Sequence, residues 1–339
     1  MARLRRLGPA LLLLVLAPVV AEFLLGDFSV RSLWLLPLFL LQYGGGALLV
    51  REVARRSGRG WPAMVLLALA YALVEEAFTT QSLFNPSYLG QRLLDSGYLP
   101  LLGTSPVWAV FVLTIHVVWS ISTPILIAEE VAGPRRVVPW LGRPGLPLVV
   151  VLYALGCLLT ALGTLAQSRF VAPAPQLAGA AALTVAVVAA AFLLPVRRAR
   201  PPRPAPAPAP WLVAVATLAL TTAFELAHRG GEALALPPAV VVAAMLACAA
   251  AGVALITAWS RARGWGSSHR LALATGAVLT YAWVGLNAFR QGRTNIGWPA
   301  GPIDIAGQVR LILAVLGLIA WATARSRPRS ATPDAATGA

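Results

Sequence analysis

Ten apolar runs follow one another along this chain, separated by short polar or arginine-bearing segments. A helix of about 20 apolar residues crosses the ~30 Å hydrocarbon core of a bilayer. In lipid the backbone must satisfy its own polar groups, which leaves helices or a closed barrel. Continuous apolar runs without two-residue alternation select the helix. The fold expected is therefore all-α, a polytopic transmembrane helical bundle of about ten spans. The run up to Leu25 continues without a small-x-small cleavage site, so it reads as an uncleaved first span. The others are Leu33–Val50, Trp61–Leu83, Pro106–Ala128, Pro147–Ala166, Leu177–Leu194, Trp211–His228, Pro237–Ala258, Leu271–Phe289 and Ile305–Ala322. Gly44, Gly45 and Gly46 in the second run suit close helix packing.

Of the 339 residues 58% are hydrophobic and 12% charged, far from the balance of a soluble domain. The 27 basic side chains are all arginine and give a net charge of +15, which by itself would suit nucleic acid. They sit in clusters between the apolar runs, however, where they fix topology rather than line one basic face. Twenty of them fall on the N-terminus, alternate loops and the C-terminus, so both termini are expected in the cytoplasm. Residues 195–210, rich in proline, arginine and alanine, read as an extended cytoplasmic linker between a six-span part (1–194) and a four-span part (211–324). Residues 325–339 read as a disordered cytoplasmic tail. The alanine, arginine and proline usage suggests a GC-rich bacterial genome, hence a multi-pass protein of the bacterial inner (plasma) membrane. Lipid is the expected partner and nucleic acid is not. Cys157 and Cys248 lie inside apolar runs as small packing residues.

Ionisable residues inside spans are costly and mark functional candidates. Glu75 and Glu76 occupy the outer half of the third run, where spacing of four places Tyr71, Glu75, Thr79 and Ser82 on one stripe. Glu76 lies about 100° further round, beside Thr79 and Thr80, so one glutamate is expected to work while the other holds a neighbouring helix. The fourth run returns with His116, Trp119, Ser120 and Thr123 on one face. At about 1.5 Å per residue, Glu76 and His116 come to similar depths. Glu225 and His228 on the seventh run and Asn287 on the ninth lie towards the same side, Glu225 and His228 as residues of an ordinary mouth. Glu129 and Glu130 read as solvated partners of Arg135 and Arg136. The tryptophans near run ends, Trp140 among them, read as an interfacial belt. No HExxH or comparable ligand spacing occurs, so neither metal nor cofactor is expected.

A glutamate pair in one span and a histidine in the next resemble the CPBP family of intramembrane proteins, which includes CAAX prenyl endopeptidases and bacteriocin-processing or self-immunity proteins. The likeness covers about residues 61–130 and rests on Glu75, Glu76 and His116. Thr80 stands where the EExxxR pattern has arginine, Val112 where FxxxH has phenylalanine, and HxxxN is absent. The resemblance implies a membrane-embedded protease in which a glutamate activates water beside a histidine. Two other classes fit the same residues. A transporter or channel would bind protons or small cations at the glutamates, and a non-enzymatic scaffold or immunity protein would keep the cluster for helix packing.

Overall fold

A computed structural model describes residues 2–195 and 203–326. Ten helices are long and apolar enough to cross a membrane: α1 (Leu7–Leu24), α2 (Val30–Arg56), α3 (Trp61–Thr79), α4 (Pro106–Val137), α5 (Gly145–Ser168), α6 (Ala174–Leu193), α7 (Pro210–Gly231), α8 (Pro238–Trp259), α9 (Ser267–Arg290) and α10 (Pro302–Ser326). They begin where local chemistry favours a start. Ser105 caps α4 by accepting from the Trp108 N–H, and Pro106 follows with a ring already set for helix. α8 and α10 also open on proline.

The helices divide by how much of each is covered by protein. Within the apolar 18-residue stretch of each, 67% of residues are buried in α3 and α9 and 61% in α4, whereas only 11% are in α5, α6 and α8. The first three form the centre with α1 and α2, and the last three present leucine, valine and alanine outward as a lipid-facing surface would. α9 packs against α7, α10 and the second half of α4, so helices from both sides of the 195–210 segment share one core. Trp119 of α4 stacks on Tyr281 of α9 at 4.5 Å and donates its indole N–H to the Ala277 carbonyl at 2.8 Å. The second run's glycines pack closely, as expected. A Cβ on Gly44 would stand 2.2 Å from the Leu14 carbonyl oxygen, and one on Gly156 2.7 Å from the Gln42 nitrogen. Those two positions let the backbones of α1 and α5 close on the middle of α2.

Several local expectations change in three dimensions. In the 195–210 segment, Arg203–Pro206 (β1) pairs in parallel with Ala262–Arg263 (β2), while 196–202 lie outside the described residues. Of the expected disordered tail, Arg325 and Ser326 continue α10, and 327–339 lie outside the described residues. Glu129 and Glu130 are not solvated. Glu129 accepts from Arg51 (3.1 Å) and Arg55 (2.8 and 2.6 Å), and Glu130 from Arg270 (2.5 and 3.1 Å). Trp140 is not an interfacial anchor; it is buried beneath the Arg51 guanidinium, 3.5 Å from its ring centre. A carboxylate at low dielectric needs a strong donor, and α2 and α9 supply those arginines.

Candidate functional site

Each of the first four helices contains a π-helical segment: Val19–Leu24, Leu40–Gly44, Glu75–Thr79 and His116–Ser122. Such widened turns concentrate at functional sites. Part of the cause is local: Pro124, just past the fourth segment, has no N–H to give the Ser120 carbonyl. The four segments carry Glu22, Gln42 and Tyr43, Glu75 and Glu76, and His116 with Ser120, all of them buried.

His116 stands between the two glutamates. Its Nε2 is 2.7 Å from Glu76 Oε1, while its Nδ1 is 2.9 Å from Ser120 Oγ and 3.5 Å from Glu75 Oε2. The glutamates therefore converge on one imidazole, where regular helical geometry had them diverge. The expected division is still visible at the other ends of the carboxylates. Glu75 Oε1 accepts from Gln42 Nε2 of α2 at 3.0 Å, and the Gln42 carbonyl accepts from Thr160 of α5. Glu76 Oε2 accepts from Thr80 at 3.2 Å and from the Ser82 hydroxyl, which in turn receives the Trp108 indole N–H at 3.0 Å. Tyr43 stacks on His116 and Tyr71 meets it edge-on, both with ring centres 6.1 Å away. Two buried atoms here have no hydrogen-bond partner, Glu75 Oε2 and the Tyr71 hydroxyl, and that hydroxyl faces Glu75.

The remaining candidates fall outside this centre. The Thr79 hydroxyl bonds back to the Val74 carbonyl at 3.3 Å. Glu225 is fully buried, beyond what a mouth residue would be, and accepts from Arg229 at 3.0 Å. His228 lies flat on Phe111, ring centres 3.7 Å apart. Asn287 is exposed. The asparagine that does take part in this second cluster is Asn295, which accepts from Arg229 at 3.3 Å and donates to the Leu25 carbonyl at 2.5 Å. Glu22 and Gln42 were missed by reading the sequence, although a polar residue within an apolar run was the signal for both. Tyr88 offered no such signal. It belongs to the loop after α3, whose tight turn pairs it with Gln91 and sets Leu89 at φ 51°. Burial and nearby Glu76 push the Tyr88 phenol well up, so it stays protonated.

Asp27, in the turn between α1 and α2, bears on both clusters. Burial pushes its carboxyl from the usual 3.8 up to about 7, although Arg229 and His116 pull the other way. A raised acid is penalised when ionised in the fold, so its cost to stability is absent below about pH 4 and grows until about pH 7. The wild-type protein should thus lose thermal stability, relative to the Asp27→Asn variant, as pH rises through that window. Parallel melting curves for the two across it would contradict the assignment.

A family model described as an uncharacterised membrane protein family matches residues 11–326. The chain belongs to that family. No curated protein and no solved structure matches it. The match reaches into all ten apolar helices, in keeping with a multi-pass membrane protein.

Proposed function

We propose that this family member is an intramembrane hydrolase of CPBP-like type, acting on a membrane-embedded peptide from the bacterial inner membrane. The observation that carries the reading is Glu75 Oε2, a buried carboxylate oxygen without a partner, 3.5 Å from an imidazole that Glu76 orients. An unmet buried acceptor costs about 1–3 kcal/mol, a cost that a water donating to it removes. Glu75 takes a proton from that water as its oxygen attacks the peptide carbonyl. The Tyr71 hydroxyl, also unpartnered, donates to the oxyanion. Collapse breaks the C–N bond, and the amine leaves with a proton delivered through His116, whose positive form Glu76 stabilises.

Glu22 supports a second reading, a proton- or cation-coupled carrier. It is a buried acid on α1 close enough to Glu75 and His116 for their charges to act on it, and Asp27 continues the series outward. Cells expressing wild-type protein, the His116→Ala variant or the Glu22→Gln variant separate the two by the new peptide termini in their membrane proteome. Hydrolysis predicts a set of termini present with wild type and the Glu22→Gln variant and absent with His116→Ala. Identical profiles for wild type and His116→Ala would remove the hydrolase. pH-driven uptake into proteoliposomes that needs Glu22 would install the carrier.

A further inference from the structure

We infer that Glu75, Glu76 and His116 together hold one divalent cation of the zinc class. This goes beyond the hydrolase reading and does not depend on it: with the cation bound, Glu75 and His116 serve as ligands, and the base and proton-carrier roles belong to the cation-free site. Each residue offers an atom within 4.8 Å of the others. Bonds of about 2.0–2.2 Å in tetrahedral geometry set ligand atoms roughly 3.4 Å apart, so His116 Nε2 and Glu76 Oε1, now 2.7 Å apart, part slightly around the ion while Glu75 Oε2 closes on it.

The far atom of every ligand is already held by a neutral partner. Gln42 holds Glu75 Oε1, Thr80 and Ser82 hold Glu76 Oε2, and Ser120 meets His116 Nδ1. Outer contacts of this kind orient ligands in metal centres. The near atoms have less. Glu76 Oε1 and His116 Nε2 share one hydrogen bond, and Glu75 Oε2 has none. Beside these three, the Tyr71 hydroxyl is buried, without a hydrogen-bond partner and turned towards Glu75. It marks the side on which a fourth coordination position opens.

Charge points the same way. Two carboxylates beside one imidazole leave net negative charge in a low-dielectric interior, where each unpaired ion costs several kcal/mol. A divalent cation neutralises both carboxylates at once. The donor set chooses the class: an imidazole nitrogen with two carboxylates suits zinc or manganese, whereas calcium and magnesium prefer all-oxygen cages and copper(I) prefers sulfur.

The test uses full-length protein in detergent, dialysed against a chelator and titrated with zinc by calorimetry and with cobalt(II) by visible absorption. One equivalent per chain is expected, with a zinc-dependent rise in melting temperature. Glu75→Gln and His116→Ala should each weaken binding at least ~100-fold, and Gln42→Ala by about 10–100-fold. Asp95→Asn, an exposed carboxylate in the loop after α3, should leave it unchanged. Absence of stoichiometric uptake by folded wild-type protein overturns the site. So does equal uptake by wild type and the two ligand variants. Because binding is read without substrate, zinc uptake with no peptide cleavage removes the hydrolase and leaves the metal site. Chelator-resistant cleavage without zinc uptake removes the metal site alone.

Discussion

Glutamine at position 75 is expected to lower peptide cleavage about 10²–10⁴-fold, the range for losing a positioned general base, while leaving the fold intact. The replacement keeps the side chain's shape, and its own carbonyl can still accept the 3.0 Å hydrogen bond from Gln42. What disappears is the basic oxygen now facing His116 without a partner. Glu76→Gln should also be severe, through a different step, because it leaves His116 without the carboxylate that orients it at 2.7 Å. Ser120→Ala removes only a contact at the far ring nitrogen and should cost less than either. Single-turnover rates on a substrate found by its new termini would separate these roles. If the Glu76→Gln variant were inactive while Glu75→Gln kept its rate, the base would be Glu76. If both kept it, glutamate-driven hydrolysis would be excluded.

The second large effect lies at the opposite end of the bundle and concerns stability. Arg51→Ala should destabilise the protein by about 3–5 kcal/mol, the usual result of removing one partner from a buried ion pair. Arg51 is fully buried and donates to Glu129 at 3.1 Å, to Glu52 at 2.6 Å, and to the carbonyls of Arg136 and Val138 at 2.9 and 2.7 Å. Its plane also covers Trp140. One side chain thus ties α2 to α4 and to the segment leading into α5, and its loss leaves Glu52 and Glu129 charged in the interior with fewer donors. Arg56 pairs with the same Glu52 at 3.5 Å but is 29% exposed, so Arg56→Ala should stay within about 1 kcal/mol. Equal losses for the two variants in detergent unfolding would show that burial does not govern this network.

This network separates what could be read early from what could not. In the sequence Arg51 and Arg55 are charges at a helix end that report topology, and Glu129 is an acid expected in solvent. Their pairing joins residues 74 to 78 positions apart, and no local pattern reports such a contact. Glu225 is similar. Its place near a helix end suggested a mouth, yet the packing of α7 against α9 buries it completely. Asn287 and Asn295 lie eight residues apart with like chemistry, and only the turn after α9 decides which of them meets Arg229.

The sequence alone determined ten helices long and apolar enough to cross a membrane, because lipid permits few structures for long apolar runs and run length is a local property. It also determined that Glu75, Glu76 and His116 warrant attention, since an ionisable group in an apolar run is conspicuous wherever its partners lie. Tertiary structure decided how those residues meet. Four widened turns on four helices re-aim the side chains by amounts that regular 3.6-residue periodicity does not contain, and so two glutamates expected to diverge close on one histidine. It also decided which neutral groups hold them, for Gln42 and Thr160 reach the centre only through the packing of α2 and α5. A helix's existence depends on its own residues, whereas the direction and partner of a buried polar side chain depend on every helix packed around it.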